Sequence, residues 1–186
     1  MSPRYSIVFQ PPTEILDQVQ EMKTELAQTI GWYASRNAMA HITIQEFEVN
    51  DKKIEVIKRQ LERCCNSLAP VVVHFNSFDS YPNGAFFIKP DLVSMPILSK
   101  MMKQVQQAVP TPNTHRGTDP HLTIARKLSF EKILIARELF NAIDLHFDLD
   151  KIALRQFNPT KKQFEIIAVY PFLSQPGLQP TQEVLF

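Results

Sequence analysis

Glycine is scarce in this chain, with four residues in 186: Gly31, Gly84, Gly117 and Gly177. No two lie close together in sequence. The clustered glycines of P-loops and dinucleotide-binding turns, which let backbone amides approach a phosphate, are therefore absent. Any phosphate this protein handles must be held chiefly by side chains. Cysteine is scarcer still, only Cys64 and Cys65. They are adjacent in a helical pattern, where free thiols in a reducing, cytoplasmic compartment are expected rather than a structural bridge. No apolar run approaches the roughly 20 residues that span a bilayer. The opening MSPRYSIVFQPP lacks the apolar stretch and small-residue cleavage site of a secretory signal. Neither sign of charge is in excess: 20 Lys and Arg stand against 19 Asp and Glu, a net +1. That balance excludes coating of nucleic acid or of an anionic membrane by bulk charge, and leaves room for a small basic cleft.

What is present is a globular composition, 44% hydrophobic and 21% charged, in a chain of one domain's length that buries roughly two thirds of its extended surface. The 14 prolines fall mostly between periodic segments, as punctuation does in a chain of mixed strands and helices. Residues 4–9 read as a strand. Thr13 then caps a helix whose apolar face is Ile15, Val19, Met22, Leu26 and Ile30, spaced by three and four. HITIQEFEV at 41–49 alternates as a strand, and Asp51 caps a second helix. Strands at 71–78 and 85–89 flank a turn through Tyr81, Pro82, Asn83 and Gly84 and form a hairpin. A third helix covers Met95 to Ala108, and a proline-rich connection fills 109–120. HLTIARKL, 121–128, is a strand, Ser129 caps a fourth helix, and three strands close the chain.

The chain thus contains itself twice. HITI at 41–44 and HLTI at 121–124 are each followed by a capped helix, a strand carrying a histidine (His74, His146) and further strands. Two copies of one small α+β unit pair about a pseudo-twofold axis to cover each other's sheets. Residues two apart on a strand share a face, so His41 with Thr43, and His121 with Thr123, oppose the aliphatic residues between them. The pseudo-twofold brings both pairs to the walls of one groove. A neutral imidazole and an imidazolium facing each other suit in-line chemistry at phosphorus: one takes a proton from the attacking oxygen, the other protonates the leaving oxygen. Threonine hydroxyls donate to the non-bridging oxygens. These histidines have no Cys, Asp or third His at ligand spacing and HExxH is absent, so no metal is expected there.

The paired H-x-T-x tetrapeptides, about 80 residues apart, resemble the 2H phosphoesterase superfamily, which includes 2′-5′ RNA ligase-like proteins and cyclic phosphodiesterases. Pro120-His121-Leu122-Thr123-Ile124-Ala125-Arg126 resembles the RNA ligase-like branch in particular. The resemblance implies an α+β, bilobal duplicated fold, with two antiparallel sheets flanking a central cleft and helices outside. Residues 1–170 then form a single unit of two pseudo-symmetric halves, with 171–186 a C-terminal tail. It implies His41 and His121 as the acid/base pair, the second as base and the first as acid, and Thr43 and Thr123 as the phosphate contacts. The implied activity is metal-independent hydrolysis of 2′,3′-cyclic phosphates on RNA ends or small nucleotides, with reversible 2′-5′ ligation in the same reaction class and no cofactor. A non-catalytic module that binds RNA ends or nucleotides is the alternative. The implied partner is an RNA terminus or a small cyclic nucleotide, with no membrane.

Secondary candidates surround this core. Arg126 has the parity of Leu122 and Ile124 if the strand stays regular, which points it away from the cleft; Lys127 has the parity of His121. Both are carried as substrate contacts, as are Phe87 and Tyr170, whose rings can stack on a base. Trp32, Tyr33 and Arg36 form a second stacking platform or finish a core. His115 and Arg116 read as a solvated loop beside the second motif, and His74 and His146 as structural histidines on a polar sheet face.

Overall fold

The computed structural model describes residues 2–112 and 115–175. Nine strands and four helices follow in the order β1 (Arg4–Phe9), α1 (Thr13–Ile30), β2 (Ile42–Glu48), α2 (Asp51–Ser67), β3 (Val71–Ser80), β4 (Phe86–Pro90), α3 (Ser94–Ala108), β5 (His115–Arg116), β6 (Leu122–Ala125), α4 (Phe130–Leu139), β7 (Leu145–Leu149), β8 (Lys151–Asn158) and β9 (Gln163–Pro171). They build two antiparallel sheets with helices outside. The first sheet runs β5-β2-β1-β8-β9 and the second β6-β4-β3-β7.

This strand order shows how the halves interlock. β1 and β2 are joined through α1 and lie side by side in the first sheet; β4 and β6 are joined through α3 and lie side by side in the second. β3, from the first half, crosses to lie against β4, and β8, from the second half, crosses to lie against β1. Each sheet is completed from the other half, the second by β3 and the first by β5, β8 and β9. The repeat therefore starts one strand earlier than the HITI and HLTI tetrapeptides, at β1 and β4. β2 and β6 occupy corresponding positions, which is what a shared groove requires.

The alternating pattern places Ile42 and Ile44 of β2, and Leu122 and Ile124 of β6, fully inside. They join a core that includes Phe9, Phe75, Phe86 and Leu154. Helix ends follow local chemistry. The Asn50 side chain, not that of Asp51, accepts from the Lys53 amide at the start of α2, and Ser129 accepts from the Lys132 amide at α4. Pro12 precedes α1 without a side-chain cap, where its missing amide costs no helical bond. The inward stripe of α1 is Ile15, Val19, Lys23 and Leu26, so a lysine stands in the row where Met22 was expected. On α4, Ile133 and Ala136 are buried while Leu134 is 46% exposed.

The chain stays on the body beyond residue 171. Phe172 is buried and meets Phe9 edge-on, and the amides of Leu173, Ser174 and Gln175 bond to carbonyls at the end of α2. The remainder of the expected tail lies outside the described residues. At Gly84 (φ +81) the turn after β3 needs the left-handed region. A Cβ there would stand 2.3 Å from the Leu128 carbonyl oxygen, and the Gly84 carbonyl accepts from the Leu128 amide at 2.9 Å. The hairpin is thereby fastened to the segment that leaves β6.

Candidate active site

His41 and His121 each sit immediately before their strand, β2 and β6. Both rings are anchored the same way. His41 Nδ1 is 2.7 Å from the Met39 carbonyl oxygen and His121 Nδ1 is 2.8 Å from the Asp119 carbonyl oxygen, each two residues back. A carbonyl cannot donate, so at His121 Nδ1 carries the hydrogen and Nε2 keeps the lone pair; at His41 the same nitrogen also lies 3.0 Å from the Arg155 guanidinium, which can only donate, so Nδ1 stands between an acceptor and a donor. The repeated motif thus repeats its backbone anchor.

The surroundings of the two rings differ. The guanidinium of Arg155 on β8, with Nη1 3.0 Å from His41 Nδ1 and Nη2 donating to Ser6 Oγ at 3.0 Å, is only 4% exposed. Burial pushes its pKa down to about 10. Burial first and this fixed positive charge second hold His41 well below its usual pKa. His121 is also lowered by burial, but the Asp119 carbonyl bond and the Asp119 charge pull the other way. Phe87 and Tyr81 back the His121 ring at centroid distances of 4.7 and 5.6 Å, and the Tyr81 hydroxyl donates to the Asp119 carboxylate. His41 is therefore the harder ring to protonate.

Two adjoining cavities open between the sheets. One, of about 840 Å³, is lined by His41, Arg155, Trp32 and Phe164 among others; the second, of about 820 Å³, by Thr43, His121, Tyr81 and His115 among others. They share Glu46, Thr123, Arg126 and Lys127, so these four form the wall common to both. Arg126 faces the cleft, against the parity argument, because the strand does not stay regular. β6 ends at Ala125 and Lys127 takes a left-handed φ of 56°, turning the chain so that both cations line the groove.

The expected aromatic contacts divide. Phe87 faces the site but is 2% exposed, so it forms the floor behind His121 and not a base platform. Tyr170 lines neither cavity. It packs against α2, where burial raises its hydroxyl to about 12. Trp32 is 71% exposed on the groove rim, whereas Tyr33 is buried with its hydroxyl donating to the Lys23 carbonyl. His115 and Arg116 form β5 on the edge of β2 and line the second cavity, exposed as expected but held in a strand. Several site residues carried no motif. Arg155 was legible only as one of two cations in the strand KIALRQF. Lys23 is buried, lowered by desolvation to about 8, and reaches the Ala38 carbonyl, so it pins the segment leading to His41. Phe157 and Phe164 meet edge-on, and the Arg4 guanidinium lies 4.1 and 5.0 Å from their ring centres.

No helix among the described residues is long and apolar enough to cross a membrane. In sequence, a protein of Staphylococcus haemolyticus named as a candidate phosphoesterase is 25% identical over 142 residues, covering 71% of this chain and 80% of that one. In structure, E. coli LigT in complex with NADP+ is similar with a TM-score of 0.65 at 13% identity, covering 94% of this chain and 100% of that one. The protein TT0787 of Thermus thermophilus is similar with a TM-score of 0.64 at 16% identity, covering 93% and 100%. These two likenesses establish the fold alone, which is that of the 2H phosphoesterases. The model of the 2′-5′ RNA ligase superfamily matches residues 11–160, most of the chain, and the protein belongs to that superfamily.

Proposed function

We propose that the protein is a metal-independent phosphodiesterase that opens 2′,3′-cyclic phosphates on RNA ends or small nucleotides, using His41 and His121 as the acid/base pair. The observation that carries this reading is the matching contact of each ring's Nδ1 with the carbonyl two residues back, which holds both rings in the same way at the starts of corresponding strands. Neutral His41 takes a proton from water as the water oxygen attacks phosphorus. The P–O3′ bond breaks, and His121, entering as imidazolium, gives its Nε2 proton to O3′, leaving a 2′-phosphate. Thr43 and Thr123 donate to the non-bridging oxygens, with Arg126 and Lys127 supplying charge where it accumulates. A 5′-hydroxyl in place of water gives 2′-5′ ligation through the same transition state.

These roles exchange the base and acid that family resemblance implies, and Arg155 is the reason. A fixed guanidinium 3.0 Å from His41 Nδ1 favours the neutral ring, which is the form a base needs; Asp119 favours the charged form of His121, which an acid needs. Substrate binding is supported by the groove's chemistry. Cations gather there (Arg4, Arg126, Lys127, Arg155, Lys161) although the whole chain carries only +1. Trp32 and Phe164 supply flat faces beside them, which suits a short RNA end or a nucleotide. E. coli LigT, similar in fold, has been crystallised with 3′-AMP and with phosphate. The free thiols, half-buried Cys64 and buried Cys65, suit a cytoplasmic setting.

Phosphorus NMR of 2′,3′-cyclic nucleotides and cyclic-ended oligonucleotides tests the reaction: a 2′-phosphate product is expected. Binding without product would replace the enzyme by a non-catalytic RNA-end-binding module. The pH profile tests the roles. Because His41 titrates well below 6.5 and His121 also below 6.5, kcat/KM is expected to peak on the acidic side of neutrality and fall above it. Arg155→Met removes the charge that opposes protonation of His41, so the acidic limb should move to higher pH while the alkaline limb stays. Arg155→Lys should restore it. Movement of the alkaline limb alone would give His41 the acid's part.

A further inference from the structure

We propose that His74, Asp144 and His146 form a binding site for a divalent transition-metal ion, separate from the cleft and independent of the reaction proposed above. β3 and β7 pair with His74 directly opposite His146. The rings stack with centroids 3.7 Å apart and planes 11° from parallel. Asp144 Oδ1 lies 2.6 Å from His74 Nε2 and 3.1 Å from His146 Nε2. All three donor atoms fall within 4.8 Å of one another.

Hydrogen-bond accounting shows why this cluster asks for a cation. Asp91 Oδ1 is held by the amides of Val93 and Ser94 at 3.1 and 2.7 Å, and its Oδ2 lies 3.1 Å from His74 Nδ1. The hydrogen on Nδ1 is donated to Asp91, so a neutral His74 turns a bare lone pair at Nε2 toward the Asp144 carboxylate. One divalent ion would take both Nε2 lone pairs and the carboxylate once the two stacked rings, whose in-plane lone pairs run nearly parallel in this structure, turn about their Cβ–Cγ bonds to converge on it. Asp91 then supplies the outer-shell carboxylate that orients a metal-bound histidine through its other nitrogen. Two imidazoles and one carboxylate suit zinc, nickel or copper over magnesium or calcium. The side chains of His146 and Asp144 are 57% and 75% exposed, which leaves room for solvent ligands.

The site is remote from the histidine pair. β7 is the far edge of the second sheet from β6, with β4 and β3 between, or about 14 Å at one strand spacing each. No ligand spacing announces it in sequence, because 70 residues separate His74 from Asp144 and only the strand register joins them.

The test is titration of the EDTA-treated, dialysed full chain with zinc chloride by calorimetry, and with cobalt chloride by visible absorption. One saturating equivalent is expected, with ligand-field bands that show nitrogen coordination and a rise in Tm that EDTA reverses. His146→Ala and Asp144→Asn, both surface changes, should each weaken binding at least tenfold. The His41→Ala/His121→Ala double variant should keep it. No saturable binding, or binding lost in the double variant and retained in His146→Ala, would overturn the proposal. Because the readout is metal binding, failure here leaves the hydrolytic reading standing.

Discussion

His41→Ala and His121→Ala are each expected to lower turnover of a 2′,3′-cyclic nucleotide by about 10²–10⁴-fold, the range for loss of a positioned acid or base. Neither ring is a keystone of the core. Each precedes its strand, and the neighbours that hold the sheet, Ile42 and Ile44 or Leu122 and Ile124, are untouched. Far-UV circular dichroism and Tm should therefore change little while product formation collapses. The double variant should fall little further than the poorer single variant, because residues that serve one transition state act as a unit. The singles should also differ in pH response. Without the base, the acidic limb of kcat/KM disappears; without the acid, the alkaline limb does. Substrate binding should survive better than turnover, since Arg126 and Lys127 remain on the shared wall. Retained activity in both variants would remove the two-histidine reading outright.

The histidines and threonines were legible because strand parity is a local rule and the motif occurs twice. The starts of the two strands were legible too, to within one residue. Three things were not. Arg155 lies 114 residues from His41 and meets it only because β8 crosses into the other half's sheet. Arg126 was misdirected by parity, which fails wherever a strand ends early; the left-handed turn at Lys127 is carried by a lysine, so no glycine marks it. Tyr170 has the expected place in chain order, but β9 shifts register beside Leu154 and Arg155, and the ring packs toward α2. Long-range pairing and irregular backbone decide all three, and neither leaves a periodic trace.

Gly117→Ala is expected to cost about a hundredfold in kcat/KM, although residue 117 touches no substrate in the proposed reaction. Its Cβ would stand 2.2 Å from the Thr43 carbonyl oxygen and 2.9 Å from Met102 Cε. The sulfur-bearing side chain can move aside; the carbonyl is part of β2 and cannot. The Gly117 amide donates to the Ile44 carbonyl at 2.9 Å, and Gln106 Nε2 donates to both the Ile44 and Gly117 carbonyls, so three groups press the two segments together. Forcing them apart by most of an ångström moves Thr43 on one side. On the other it moves Asp119, whose carbonyl anchors His121. Displacement of that size in a reacting geometry costs on the order of 10² in rate. Met102→Ala in the same chain should not rescue activity, because the obstruction is backbone. Gly31→Ala is the contrast. Its Cβ meets nothing within 4 Å, but its φ of +80° strains any side chain, so it should lower Tm and leave turnover intact. Full activity in Gly117→Ala with an unchanged Tm would mean the segment yields freely, and that the close approach does not position the two motifs. A loss confined to kcat/KM, with Gly31→Ala active, would show that this glycine sets the spacing between Thr43, the proposed phosphate contact of one half, and His121 of the other.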